Sequence, residues 1–235
     1  MGTESGVNRP ERARAIWAIT WCIAAMILYQ FGRNSIDGWA EHLLTIGLAS
    51  VVVALAVWGG AGAADLGVRG RDVGSGAVWG LGVGGVAGVL ILIASRLPPA
   101  DGFFSDDRFS DLSTSDLVVE VLVRVPFSTA LFEELLFRGV LLGLLLMVTS
   151  RGTAIALSSL LFGLWHVLTG GDFADSNSGL ASTSASTVIL ANVLVTAVAG
   201  VPLGWLRMRS KSLLAPTLVH ASVNSVALVV AARLS

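Results

Sequence analysis

The chain has 235 residues, of which 54% are hydrophobic and 13% charged, with a formal net charge of −1. That charged fraction is about half the usual ~25% of a soluble domain, so with a mean hydropathy of +0.79 it excludes an ordinary soluble protein and predicts an all-α, polytopic membrane helical bundle. Near-neutral charge argues against nucleic acid as a partner, and the single cysteine, Cys22, excludes an intrachain disulfide and a cysteine metal site.

Residues 1–13 read as a cytoplasmic tail, with Met1 to Asn8 disordered, and 14–235 as a single transmembrane domain. Arg9, Arg12 and Arg14 precede a first apolar run that ends in Tyr29-Gln30-Phe31-Gly32-Arg33. No small-x-small cleavage site follows, so the run is read as a retained anchor helix rather than a signal peptide. Spans of about 20 apolar residues are predicted at 14–31, 40–60, 77–95, 116–148, 153–168, 187–206 and 213–233. That makes seven, or eight if Pro126 splits the long fourth run instead of kinking it.

Arginines and Lys211 fall before span one and after spans two, four and six; Asp101, Asp106, Asp107, Asp111, Asp172 and Asp175 occupy alternate loops. The asymmetry places the N-terminus in the cytoplasm of a cell membrane, and an arginine-rich, lysine-poor chain points to a bacterial source. The Gly, Ser, Asp and Asn content of 169–186 predicts a mobile external loop. No internal repeat is visible.

Gly80-Leu81-Gly82-Val83-Gly84-Gly85 spells a dinucleotide fingerprint, but it lies within a span and not between a strand and a helix. Gly80, Gly84 and Gly88 instead form a small-residue stripe for close helix packing. Other protease chemistries lack their parts. Glu41 precedes His42, so there is no His-Glu-x-x-His, and there is no Gly-x-Ser-x-Gly elbow. Ser158 and Ser159 read as packing or back-bonding residues.

What remains is a polar constellation at membrane depth, where ionisable groups are costly and mark function. Glu133 and Glu134 sit in Phe132-Glu133-Glu134-Leu135-Leu136-Phe137-Arg138. Glu134 and Arg138 at i and i+4 can pair, whereas Glu133 points about 100° away with no cation at helical spacing. Phe162-Gly163-Leu164-Trp165-His166 and His220-Ala221-Ser222-Val223-Asn224 follow, holding two of the three histidines. Glu120 and Arg124 repeat the i, i+4 spacing and read as simple charge neutralisation.

Peptide hydrolysis needs a base for water, donors for the tetrahedral oxyanion and an acid for the leaving amine. Glu133 is assigned as the base, with His166 holding or deprotonating the water and His220 and Asn224 as oxyanion donors. Glu134 and Arg138 are assigned as support for Glu133.

In this order, Glu-Glu-x-x-x-Arg, Phe-x-x-x-His and His-x-x-x-Asn resemble the CPBP group, which includes the CAAX prenyl endopeptidases and bacterial bacteriocin-processing or immunity-linked proteins. The resemblance covers about 116–232 and includes Gly204-Trp205-Leu206 and Ser212-Leu213-Leu214-Ala215-Pro216. It implies an intramembrane endopeptidase with Glu133 and His166 activating water, His220 and Asn224 forming the oxyanion site, and Phe162 in support. It also implies membrane lipid and a membrane-associated or lipidated peptide as partners. No cofactor is required in this reading. The alternatives are a zinc enzyme using Glu133, His166 and His220, a non-enzymatic immunity or scaffold protein, and a proton-coupled transporter.

Overall fold

The computed structural model describes residues 9–33, 36, 38–97, 109, 112–176 and 182–234. The predicted disordered tail, the acidic stretch with Asp101, Asp106, Asp107 and Asp111, and 177–181 of the predicted loop lie outside the described residues. Those described form helices and no strand. α1 is Arg9–Arg33, α2 Trp39–Trp58, the short α3 Ala63–Leu66 and α4 Val73–Ala94. α5 occupies 114–148, α6 is Arg151–Trp165, α7 Val167–Ser176, α8 Ala185–Ser210 and α9 Leu214–Leu234.

Among the described residues five helical stretches are long and apolar enough to cross a membrane: α1, α2, α3 through α4, α8 and α9. Two of the seven predicted spans look different. α6 has 15 residues, roughly 22 Å of rise, and is short for a hydrocarbon core of about 30 Å. α5 alternates α turns with wider π turns at Glu120–Leu131 and Leu135–Leu141. Pro126 lies in the first π stretch, and the helix runs through it without splitting. A wider turn gives the proline ring room against the preceding carbonyl.

The predicted loop from 169 begins as helix, since α7 continues to Ser176. Its Gly-, Ser- and Asp-rich composition is overridden by packing against α8.

One buried apolar cluster joins α1, α2, α5 and the end of α6, through Ala18, Cys22, Tyr29, Val52, Leu136, Phe137, Leu144 and Trp165. A second joins α8 and α9 through Leu203, Leu206, Ala215 and Val219. α4 lies on α9 along its glycine stripe: a Cβ on Gly80 would stand 2.8 Å from Leu218 Cβ and 3.0 Å from the Ala215 carbonyl oxygen. The outer faces carry large apolar side chains such as Leu28, Val78, Val198 and Phe31, the pattern of a lipid-facing surface.

The turn between α8 and α9 is docked deep. Leu213 N–H donates to the Gly67 carbonyl at 2.8 Å, and the Leu66 carbonyl oxygen lies 3.5 Å from where a Gly139 Cβ would be. Leu213 is thereby level with Gly139. Counting about 1.5 Å per residue from there brings Glu133 on α5 and His220 on α9 to the same height. The whole corner is locked by Arg207, whose Nη2 donates to the carbonyls of Ala64 and Asp65 at 3.0 and 2.8 Å. Gly67, at φ +74°, packs against that guanidinium.

Candidate active site

Glu133 and Glu134 sit in the three-residue α segment between the two π stretches of α5. Both are buried, at 7% and 0% exposure. Wide turns inside an α-helix are frequent at functional sites, and here they flank the two carboxylates.

The predicted Glu134–Arg138 pair forms, with Arg138 Nη1 donating to Glu134 Oε1 at 2.9 Å. The same Oε1 accepts from His220 Nδ1 at 2.9 Å. The support expected for Glu133 is thus directed at His220 instead. Because a carboxylate oxygen can only accept, His220 carries a proton on Nδ1 and presents Nε2 to the site.

Glu133 is bound through the other imidazole side of the site. Its Oε2 lies 3.6 Å from His166 Nε2 and 3.9 Å from His220 Nε2. Its Oε1 accepts from the Trp165 indole N–H at 3.2 Å. Sequence reading left this acid unpartnered; the tryptophan beside His166 was the available signal, since a buried indole N–H needs an acceptor.

His166 closes α6 with φ −88° and ψ 11°, so the chain turns at the imidazole. Its Nδ1 donates to the Phe162 carbonyl at 2.8 Å, which leaves Nε2 as a lone pair aimed at Glu133. Phe162 is the hub beneath both histidines. Its ring meets His166 edge-on at 4.6 Å and His220 at 5.8 Å, with Arg138 stacked over it at 4.0 Å. The i, i+4 spacing of Phe162 and His166 follows from both the ring contact and the backbone hydrogen bond.

A cavity of about 640 Å³ opens beside the imidazoles, lined by His166, His220, Asn224 and Asn192 at its polar part and by apolar residues of α4, α8 and α9. Glu133 is not among the lining residues; it stands behind the two histidines. Asn224 shares the His220 face of α9, as predicted, and lines the same cavity. Asn192 was not singled out from sequence. Its Nδ2 donates to the His166 carbonyl at 3.0 Å, tying α8 to the turn that carries the histidine.

The arrangement pairs proton acceptors with donors across a small gap. Glu133 Oε2 and the His166 Nε2 lone pair can both take a proton. His220 Nε2 can donate only as an imidazolium, which the two carboxylates and one guanidinium would balance to neutrality. The buried hydroxyl of Ser158 on α6 donates to the Phe137 carbonyl at 2.7 Å. The outlying Glu120–Arg124 pair, 2.7 Å apart, has its arginine largely exposed and takes no part. Among the described residues no group of three or more His, Cys, Asp or Glu side chains has the geometry to hold a metal ion.

Comparisons with curated proteins and with solved structures found no match. Residues 115–226 match the model of a family described as Rce1-like, type II CAAX prenyl endopeptidase, a segment that holds Glu133, Glu134, Arg138, Phe162, His166, His220 and Asn224. Through this segment the chain is similar to the Rce1-like CAAX prenyl endopeptidases, which supports an intramembrane protease in general.

Proposed function

We propose that the chain is a glutamate-dependent intramembrane endopeptidase that hydrolyses a membrane-associated or lipidated peptide, within a cell membrane and with its N-terminus in the cytoplasm. The observation that supports it is the convergence of Glu133 Oε2 on the Nε2 atoms of His166 and His220, at 3.6 and 3.9 Å, beside a cavity that also takes Asn224. Water held between Glu133 Oε2 and His166 Nε2 loses a proton to them and attacks the scissile carbonyl. The oxyanion is met by the His220 Nε2–H and the Asn224 amide. The proton taken from water is then returned to the departing amine as the C–N bond breaks. The apolar lining of the cavity suits a lipidated peptide.

A zinc-dependent version keeps the same reaction. One observation favours it: both imidazoles turn Nε2 inward and tie Nδ1 to an acceptor, the arrangement that orients histidine ligands around metals. In that version Glu133, His166 and His220 would be the ligands, and they would have to draw closer together than they stand here to hold the ion.

The deciding experiment is the Glu133→Gln variant, assayed on an internally quenched farnesylated CAAX peptide and by comparing membrane proteomes for uncleaved precursors. Cleavage by the variant should fall by about 10²–10⁴-fold. Full activity of Glu133→Gln would sink the mechanism, while a wild-type protein with no cleaved substrate in either assay would favour the immunity or scaffold alternative.

A further inference from the structure

Glu133 is held by one oxygen only. Trp165 Nε1–H donates to Oε1 at 3.2 Å, whereas Oε2 has no hydrogen-bond partner among the described residues and faces both imidazoles. An indole N–H is a donor and nothing else. Placed on Oε1, it fixes the carboxylate plane and leaves the lone pairs of Oε2 for a proton.

Trp165 is itself clamped from outside the segment that matches the family. Its ring stacks on Tyr29, the only tyrosine in the chain, at 5.7 Å and 12° between planes. Its backbone carbonyl accepts from Gln30 Nε2 at 2.9 Å. Tyr29 is anchored in turn, its hydroxyl 2.9 Å from Thr45 Oγ1 on α2. Phe132 and Phe137 close the other sides of the indole, at 6.3 and 5.9 Å. At 7% exposure the ring has little room to turn.

We infer that Trp165 is a positioning residue for Glu133, and that α1 is part of the catalytic architecture through Tyr29 and Gln30 rather than a membrane anchor alone. Trp165 and His166 are neighbours at the end of α6, so one turn of chain sets both the fixed oxygen and the reactive oxygen of the same carboxylate. The inference rests on Glu133 being the base. Its first readout does not.

That readout uses full-length protein in detergent micelles with ¹⁵N-labelled tryptophan. The Trp165 indole resonance is identified by its loss in Trp165→Phe, a variant that keeps a buried ring. It should shift in Glu133→Ala, because the acceptor has gone; a resonance that stays in place overturns the contact. The second readout is cleavage of the farnesylated CAAX peptide. Trp165→Phe should lower kcat by about 10- to 100-fold, the scale of a small misplacement of a reacting group, with KM changed less than about twofold. The lipid-facing Trp21→Phe should match wild type in both readouts. A Trp165→Phe enzyme with wild-type kcat, or a loss carried by KM alone, overturns the positioning role. Should the wild-type protein leave that peptide uncut, the peptidase reading is what fails, and the indole resonance still decides whether Trp165 grips Glu133.

Discussion

His220 Nδ1 and Arg138 Nη1 reach the same oxygen of Glu134, each at 2.9 Å. One carboxylate therefore serves both the Arg138 guanidinium and the His220 imidazole, and the two uses can be separated by mutation.

Glu134→Gln leaves a buried guanidinium without its counter-ion and should cost about 3–5 kcal/mol of stability, with loss of cleavage. The double variant Glu134→Leu, Arg138→Met should recover most of that stability, because an apolar pair of similar volume often replaces a buried ion pair without loss. It should remain inactive, since His220 Nδ1 has lost its acceptor. Thermal unfolding in detergent, read beside peptide cleavage, separates the two effects; recovered activity in the double variant would remove Glu134 from the chemistry.

Ser158→Ala tests whether the buried hydroxyl on α6 is a nucleophile. It should cost about 0.5–1.5 kcal/mol of stability, the net contribution of one hydrogen bond, because the Phe137 carbonyl keeps the Leu142 N–H, and cleavage should stay within a few-fold of wild type. Abolished turnover in a stably folded Ser158→Ala protein would reopen a serine mechanism.

The α4–α9 contact gives a matched pair. Gly80→Val places a side chain against Leu218 and the Ala215 carbonyl and should cost about 1–3 kcal/mol through overpacking. Gly82→Val, at a position where an added Cβ would meet nothing within 4 Å, should be neutral. Thermal melts of both variants decide it. Equal melting temperatures would mean that α4 does not sit on α9 as described.

Metal dependence is decided by chelation. With Glu133 as a metal-free base, purified active protein should keep its cleavage rate after prolonged EDTA or phenanthroline treatment and dialysis. Lasting loss that zinc alone restores would transfer the reaction to the zinc version.

Local rules made much of this legible. The Glu134–Arg138 pair, the shared face of His220 and Asn224 and the glycine stripe all follow from helical spacing within single segments. Three features do not. The π turns around Glu133 have no composition signature, and a helical wheel drawn at 3.6 residues per turn misplaces what they carry. The bonds from Glu134 to His220 and from Trp165 to Glu133 span 86 and 32 residues, and side-chain pairing over such separations depends on how helices stack. The common height of Glu133 and His220 is set by the turn at Leu213 docking on Gly67, a loop contact that no periodicity reports. Composition also misjudged 169–176, where neighbouring helix made up for poor intrinsic propensity.

The corner at Gly67 has an evolutionary corollary. The volume in which any side chain there would begin is already taken by the guanidinium of Arg207, 140 positions further along the chain. A descendant could acquire a bulkier residue at the first site only if the second swung aside or shortened, and either change would abandon the carbonyls of Ala64 and Asp65. The two positions should therefore drift as a linked pair among related chains, even though only one of them falls inside the segment that matches the family model.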